Sequence, residues 1–365
     1  MRFLTPQVRS EPTGRLNLLD ALRFVAAIAV VAYHFTVYPF PFGWPNPPVE
    51  IFGALSRISG YGYLGVYLFF IISGFVISLS ARGRTTGQFV ASRMGRLLPA
   101  FWVAVPVAGI LAPLILTGRI TSESLRNTAV NLTMLPKAFG APYVDGVYWT
   151  LWIEFCFYVI VGFLILSGLT YGKMLLLAAL WPLVGVLVQT GNKQLGLLLL
   201  PQFAPLFAGG IALYLIYAYG HNLLHWLIVG ANAIFAANTA ALSTTAVNKS
   251  THAGLSSAVA FAIVIGFFAL VAIATLTRAR PWTGRVGTSF GRLTYPLYLM
   301  HVFPGLIVIH FTHEFLGTWG SLLLALAVVL ALAWVVNRWV EQPYGPRIRK
   351  AIEGSFQKVE SKQLA

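Results

Sequence analysis

Residues 62–80 read GYLGVYLFFIISGFVISLS, a run without a single charged side chain. At about 1.5 Å of rise per residue, an α-helix of this length crosses the ~30 Å hydrocarbon core of a bilayer. Similar runs recur along the 365-residue chain, which is 58% hydrophobic and 10% charged. A soluble domain carries about 25% charged residues. We therefore predict an all-α, polytopic transmembrane helical bundle.

About ten spanning helices are predicted from these apolar runs. Their expected ranges are 16–37, 62–80, 98–117, 146–168, 173–190, 198–219, 222–243, 256–277, 293–313 and 319–339. Outer-membrane barrels instead show short stretches of alternating apolar and polar residues. The pattern therefore favours helices, in one transmembrane domain over residues 1–343 followed by a basic tail at 344–365.

The distribution of basic residues predicts the orientation. The net charge is +15. With the N-terminus inside, 18 of the 25 Lys and Arg residues fall on the inner side and six on the outer side, and Arg23 lies within a span. Basic residues collect in cytoplasmic loops of membrane proteins. We therefore expect both termini and the 344–365 tail to be cytoplasmic, and we expect the lipid bilayer, not nucleic acid, as the partner of this charge.

Neither disulfide nor metal chemistry is predicted. Cys156 is the single cysteine, and it lies within an apolar run. His310, His313 and Glu314 lie at the end of a span with no further ligand identifiable from the sequence. We expect Cys156 to be a small core residue and expect no metal site.

The first predicted helix carries three ionisable residues. Asp20 and Arg23 are three positions apart and can pair on one helix face. From Arg23 to His34 is eleven positions, so the two side chains point to the same side, about 16 Å apart along the axis. They can line the two ends of one tunnel. The alternative is that Arg23 extends to the inner interface while His34 sits at the outer one.

Glu154 is a lone carboxylate several residues inside an aromatic-rich span. A buried carboxylate must pair with a cation or take up a proton. The candidate partners are Arg23, Arg93, Arg96, His34 and His301, and the sequence does not choose among them. A purely structural pair between helices is the alternative.

Two further pairs carry a weaker signal. Arg93 and Arg96, just before the third span, suit phosphate oxygens, but anchoring at the inner membrane surface explains them equally well. Tyr298 and His301 lie three apart in the ninth span and indicate a polar cavity, or else ordinary hydrogen bonds between helices.

Six stretches of the chain, in order, resemble the acyltransferase-3 family of membrane O-acyltransferases. They are residues 19–23 with His34, then 65–75, 93–99, 149–158, 294–301 and 340–343. They are similar to the family's LDGLR opening with its R-x10-H spacing, GVxLFFxLSGF, RxxR, WSLxxExxFY, SYxLYLxH and ExP. Departures are Ala21 for glycine, Thr150 and Thr294 for serine, and Pro296 within the ninth span. None removes a group with an assigned chemical role.

The resemblance implies an enzyme that transfers an acyl group, acetyl by family default, from cytoplasmic acyl-coenzyme A. The acceptor is a hydroxyl of a carbohydrate, glycolipid or related molecule. Acyl-coenzyme A is then a co-substrate, and no tightly bound cofactor is expected. The expected location is the cytoplasmic membrane of a bacterium, and the oligomeric state is not readable from the sequence.

The resemblance also implies residue roles. His34 is expected to act as general base on the attacking hydroxyl. Arg23 would line the donor path, and Glu154 would orient a cation or hold the imidazole in its working tautomer. The expected donor-binding residues are Arg93, Arg96, Asp20, Ser73, Tyr298 and His301, with backbone amides near Ser73 stabilising the oxyanion.

A membrane transporter or flippase of a sugar or lipid-linked intermediate is the competing class. Ionisable residues near the middle of spans also suit a carrier. Such a protein has no need of the Arg93 and Arg96 pair together with the spacing from Arg23 to His34, and no inverted repeat is detected.

Overall fold

The computed structural model describes the backbone of residues 17–277 and 284–363. Within these ranges the chain forms sixteen α-helices and no β-strand. The first eight are α1 Asn17–Thr36, α2 Pro48–Phe52, α3 Ala54–Ser59, α4 Gly65–Ala81, α5 Thr86–Pro106, α6 Ala112–Thr117, α7 Ser122–Asn131 and α8 Trp149–Leu166. The others are α9 Tyr171–Gly191, α10 Lys193–Leu199, α11 Ala204–Tyr219, α12 Leu223–Thr251, α13 Ser257–Leu276, α14 Gly284–Met300, α15 Val302–Val336 and α16 Gln342–Gln363. The predicted all-α bundle is confirmed.

In the described ranges, nine stretches are long and apolar enough to cross a membrane. They are Asn17–Thr36, Ala54–Ala81, Thr86–Thr117, Gly146–Leu166, Tyr171–Gly191, Leu195–Tyr219, Leu223–Thr251, Ser257–Leu276 and Val302–Lys358. Eight of them correspond one to one with the first eight predicted spans. The protein is thus a multi-pass membrane protein.

The predicted ninth and tenth spans fall largely into the last stretch, Val302–Lys358. Within it the backbone of Gly317 leaves the helical region, with φ 64° and ψ −176°. Glycine adopts positive φ without a side-chain clash, so it can break the helix here. Gly317 lies in the gap between the two predicted spans, 293–313 and 319–339, and this break explains the difference in count.

The third span begins earlier than predicted. Helix α5 starts at Thr86 and not near residue 98, because Thr85 and Gln88 form a reciprocal capping box. The Gln88 amide donates to Thr85 Oγ1 at 3.3 Å, and the Thr85 amide donates to Gln88 Oε1 at 3.1 Å. Such a box satisfies backbone donors that a helix start leaves unpaired. Pro99 lies inside this helix and does not begin it.

The chain divides into two compact units. The first contains the described residues of Met1–Ala26, Tyr63–Arg84 and Ile153–Gly291. Its centre is the contact between α4 and α11, where a side chain at Gly74 would collide with the backbone of Phe207. Small residues allow transmembrane helices to approach this closely. This unit holds Asp20, Arg23, Ser73 and Glu154.

The second unit contains Ala27–Gly62, Thr85–Trp152 and the described residues of Arg292–Ala365. Here α5 packs along α16: a Cβ atom at Gly95 would lie 2.8 Å from the Gly345 carbonyl oxygen and 2.9 Å from Arg349 Cβ. Residues 344–358 of the predicted basic tail therefore lie in a helix docked on α5. This unit holds His34, Arg93, Arg96, Tyr298 and His301.

Candidate functional site

Two histidines meet in the second unit. His34 Nδ1 lies 3.0 Å from His301 Nε2, and the ring centroids are 5.0 Å apart. His34 comes from the last turn of α1 and is half-buried, whereas His301 lies between α14 and α15 and is 0% exposed. The pair thus has one imidazole that can be reached and one that is enclosed by protein.

The hydrogen bonds of this pair determine where the protons lie. His301 Nδ1 is 2.7 Å from the Tyr298 carbonyl oxygen, which can only accept. A neutral His301 therefore carries its proton on Nδ1 and turns the lone pair of Nε2 towards His34. His34 Nδ1 also lies 3.0 Å from the Val30 carbonyl oxygen, another acceptor. With acceptors on both sides, His34 Nδ1 keeps its proton, and Nε2 is the basic nitrogen.

The segment that presents His301 is fixed by hydroxyl groups. Tyr298 Oη lies 2.8 Å from Thr150 Oγ1, and both hydroxyls are within 3.1 Å of the Val147 carbonyl oxygen. Tyr148 Oη donates to the Leu299 carbonyl oxygen at 3.3 Å. These bonds join the end of α14 to the start of α8. We call residues 145–150 with 298–301 the hydroxyl corner.

Asp145 begins the hydroxyl corner. Its Oδ1 accepts from the Val147 amide at 3.1 Å, and the residue is only 2% exposed. Burial raises the pKa of the Asp145 carboxyl from its usual 3.8 to about 7, although the Val147 amide favours the charged form. Asp145, Val147 and Tyr148 are not among the site residues predicted from the sequence. Asp before a helical run is a capping signal that could have identified Asp145.

The predicted donor-binding role of Tyr298 and His301 stays a prediction. Both are buried, and their polar atoms are engaged by protein groups: Thr150 and Val147 for the phenol, the Tyr298 carbonyl and His34 for the imidazole. Polar groups that already have partners inside the protein are poor sites for a ligand. Their hydrogen bonds hold the segment that places His301 beside His34.

In the first unit, Ser73 Oγ donates to Glu154 Oε1 at 3.3 Å. The partners predicted for this carboxyl were all cations, so Ser73 was missed in that role. The oxyanion role expected of the amides near Ser73 stays a prediction. Ser73 and Gly74 lie inside α4, Gly65–Ala81, where backbone amides are used by the helix itself.

Arg93 and Arg96 lie within the helix of the third span and not just before it, because α5 extends from Thr86 to Pro106. Arg93 is 8% exposed, and its Nη2 donates to Ser92 Oγ at 3.2 Å. Arg96, three positions on, is exposed. Two guanidinium groups three apart occupy neighbouring positions on a helix surface, one towards protein and one towards solvent.

The closing motif at 340–343 lies near these arginines. The charge of Arg96 acts on the Glu341 carboxyl, and Glu341 Oε2 accepts from Asn337 Nδ2 at 2.7 Å. Asn337 Nδ2 also lies 3.3 Å from the Arg292 carbonyl oxygen. Gly95 stands between the two arginines in the sequence, and Arg349 of α16 lies beside it. No role had been assigned to Glu341, Asn337 or Arg349.

Asp20 and Arg23 both lie on α1, as predicted, and α1 continues without interruption to His34. A Cβ atom at Gly291 would lie 2.6 Å from Asp20 Cβ, so α1 and α14 touch at this point in the first unit. Pairing between Asp20 and Arg23 stays a prediction.

A family model described as an acyltransferase domain, that of the acyltransferase-3 family, matches residues 16–338. The chain belongs to the acyltransferase-3 family. The resemblance found in the six stretches is thereby confirmed, and membership in a family of acyltransferases favours this class over the transporter alternative.

Several curated proteins are similar to this acyltransferase-3 chain over part of its length. The chain is 28% identical over 151 residues to Acyltransferase MdmB of Streptomyces mycarofaciens, covering 40% of this chain and 38% of that protein. It is 31% identical over 159 residues to an O-acetyl transferase of Shigella phage Sf6, covering 40% and 45%. The exopolysaccharide production protein ExoZ of Rhizobium meliloti is 34% identical over 106 residues, covering 27% and 33%. The matches thus span less than half of these relatives. No solved structure matches significantly.

Proposed function

We propose that this protein is a membrane O-acyltransferase that uses His34 as general base. The observation that carries the proposal is the contact between His34 and His301, which leaves Nε2 of a half-buried imidazole as a free base. An imidazole that is held in one tautomer and partly accessible suits proton abstraction from a hydroxyl near neutral pH. Membership in the acyltransferase-3 family supports the same reaction class.

The proposed reaction is attack of an acceptor hydroxyl on an acyl thioester. His34 Nε2 takes the hydroxyl proton as the oxygen forms a bond to the acyl carbon. The carbon–sulfur bond breaks, and the proton passes to the leaving thiolate. The products are the acyl ester of the acceptor and a free thiol, so no oxidant or further reactant is required.

The proposed donor is acyl-coenzyme A, with acetyl as the acyl group. Arg93 and Arg96 would hold its phosphates, because guanidinium groups bind phosphate oxygens in a planar, two-pronged way. Glu341 and Asn337 would restrain this end of the site. Arg23, on the same helix as His34 and about 16 Å from it along the axis, would line the donor path. Glu154 stays a predicted orienting carboxylate, with Ser73 as its hydrogen-bond partner.

The proposed acceptor class is a carbohydrate or glycolipid hydroxyl. Among the relatives, one is named an O-acetyl transferase and another an exopolysaccharide production protein. The first name fits acetyl as the transferred group, and the second fits a saccharide as the acceptor. The cytoplasmic membrane of a bacterium is the corresponding location, with both termini in the cytoplasm.

Radiolabelled acetyl-coenzyme A tests this function without knowledge of the acceptor. Purified protein in nanodiscs is assayed for release of labelled acetate or for self-acylation, in wild type, His34→Ala and His310→Ala. His310 is an exposed histidine outside the site, so it serves as the matched control. We expect turnover in wild type and in the control, and a loss of about 10²–10⁴-fold in His34→Ala.

Two results would contradict the proposal. Equal turnover in His34→Ala and wild type would remove His34 as the base. Folded wild type is also tested with acetyl-, succinyl- and longer acyl-coenzyme A in the presence of saccharide acceptors. If no turnover is seen with any of them, acyl-coenzyme A is not the donor and the transporter class becomes the better explanation.

A further inference from the structure

A cavity of about 250 Å³ lies within the second unit, between residues 38–48 and Leu306. Pockets for drug-sized ligands occupy roughly 300–1,000 Å³. The cavity therefore has room for one ring-sized group and not for an extended chain. Four aromatic side chains contribute to its lining: Tyr38, Phe40, Phe42 and Trp44.

Two of these four aromatic side chains also contact His34, the proposed base. The ring centroids of Tyr38 and Phe40 lie 6.0 Å and 5.8 Å from that of His34. Tyr38 and Phe40 are themselves packed together, with centroids 4.7 Å apart. A group bound in the cavity is thus separated from the imidazole by no more than one layer of side chains.

The loop that forms the cavity is held in place. Trp44 Nε1 donates to the Phe35 carbonyl oxygen at 2.7 Å, one residue after His34. Phe42 stacks on Phe303 with centroids 5.5 Å apart. Gly43 has φ 106°, and a Cβ atom there would lie 3.1 Å from Leu306 Cδ2. A loop fixed at three successive residues presents a preformed surface, which lowers the entropic cost of binding.

The chemistry of the lining indicates what would bind. Five of the lining residues are prolines, which carry no backbone N–H, and none of the described lining side chains is charged. Trp44 Nε1 is already committed to Phe35. The lining therefore combines aromatic faces, whose electron density attracts C–H groups, with two side-chain hydrogen-bonding groups, the Tyr38 hydroxyl and the Asn46 amide. A neutral ring that brings its own hydroxyl donors matches this surface.

We infer that this aromatic cavity binds one neutral sugar ring of the acceptor, and that the hydroxyl that reacts at His34 belongs to a neighbouring part of the acceptor, because Tyr38 and Phe40 lie between the cavity and the imidazole. The inference rests on the proposed function for its place in the reaction. It goes further in assigning residues 38–48, and above all Phe40 and Asn46, to recognition of the acceptor.

Binding can be measured without turnover by saturation-transfer-difference NMR on the full chain in nanodiscs. The probes are the methyl glycosides of glucose, galactose, rhamnose and N-acetylglucosamine, with farnesyl phosphate as an apolar comparison. Asn46 is exposed, so Asn46→Trp fills the cavity without disturbing a core. Ala138→Trp adds an indole on an exposed turn elsewhere and is the matched control.

We expect saturation of at least one glycoside by wild type and by Ala138→Trp, and a drop of about tenfold or more in Asn46→Trp, because the contact area is lost. Phe40→Leu keeps the bulk but removes the aromatic face, and it should weaken binding by about three- to tenfold. Absence of any glycoside signal, or an equal signal in Asn46→Trp, would overturn the inference. So would a cavity-dependent signal from farnesyl phosphate alone.

The two proposals fail separately. Glycoside binding that depends on the cavity, without any His34-dependent acyl transfer, would refute the enzyme and leave the sugar site. His34-dependent transfer by a protein that binds no glycoside in this cavity would refute the sugar site and leave the enzyme.

Discussion

His301 Nε2 lies 3.0 Å from His34 Nδ1, across 267 positions of sequence. The Nδ1 proton of His34 is held by two acceptors, His301 Nε2 and the Val30 carbonyl oxygen. The His301 imidazole is in turn held by the Tyr298 carbonyl oxygen, which accepts from its Nδ1. This chain of hydrogen bonds makes His301 a positioning residue for His34, by the same logic that a buried carboxylate serves a catalytic histidine.

Replacing His301 should lower turnover and leave donor binding intact. In His301→Ala we expect kcat to fall by about 10–10²-fold, because His34 loses the acceptor that orients it. The KM for acetyl-coenzyme A should stay unchanged. In His301→Gln, an amide oxygen can accept from His34 Nδ1, so part of the activity should return. Steady-state kinetics of the three proteins in nanodiscs provide the test.

Folding of these variants is checked against His310→Ala, an exposed histidine change. A wild-type kcat in well-folded His301→Ala would show that His34 needs no partner. Equal losses in the Ala and Gln variants would show that bulk in the core, not the hydrogen bond, is what His301 supplies.

Tyr298 and Thr150 should be coupled energetically. Their hydroxyls lie 2.8 Å apart and are 8% and 6% exposed as residues. Tyr298→Phe and Thr150→Val should each reduce stability by about 1–3 kcal/mol, because each leaves a buried partner unsatisfied. The double variant should cost less than the sum of the two. Denaturation of the four proteins in detergent forms the cycle, and strict additivity would contradict the contact.

Asp145 should make stability depend on pH. The carboxyl pKa is about 7 in the folded protein against 3.8 ordinarily. Between these values the folded state holds a proton that the unfolded state has lost. Stability is therefore full below about pH 4 and falls as pH rises to about 7, by on the order of 4 kcal/mol.

Asp145→Asn removes the titration and keeps an oxygen acceptor for the Val147 amide. We expect the variant to be similar to wild type at pH 4.5 and more stable at pH 8, with a flatter dependence between. Thermal unfolding across this range measures it. An identical slope in both proteins would mean that Asp145 is not the titrating group.

Arg96 should contribute to donor affinity. In Arg96→Ala the KM for acetyl-coenzyme A should rise about tenfold, since a charge-assisted phosphate contact contributes roughly 1.5–3 kcal/mol in a protected site and less where exposed. Arg119→Ala, an exposed arginine on another segment, is the control. An unchanged KM in Arg96→Ala would favour anchoring at the membrane surface as its role.

Gly95 should be required for the contact between α5 and α16. A Cβ atom at this position would lie 2.8 Å from the Gly345 carbonyl oxygen. We expect Gly95→Ala to reduce stability by about 1–3 kcal/mol through overpacking. Gly162→Ala is the matched control, because a Cβ atom there meets nothing within 4 Å, and helix propensity should make it neutral or slightly stabilising. Equal melting temperatures for the two variants would contradict the close approach.

The sequence by itself determined the architecture, because the thickness of the bilayer fixes how long an apolar run must be to cross it as a helix, and such runs can be read from the sequence. Eight predicted spans correspond to described helices, and the break at Gly317 separates the predicted ninth from the tenth. The family could also be predicted from the sequence, because six short stretches resemble its motifs in the same order. The earlier start of α5 was not predicted, because the residues before position 98 are polar and the capping box of Thr85 and Gln88 outweighs that composition.

Only the tertiary structure decided which polar groups meet. His34 was identified from an ionisable residue in an apolar helix, but its contact with His301 depends on packing of α1 against the junction of α14 and α15. Ser73 as the partner of Glu154 was likewise not readable, since any of several spans could have faced that carboxyl. Membrane insertion is a local property of each segment, whereas hydrogen bonds between helices depend on their rotation and depth, which arise when the bundle packs.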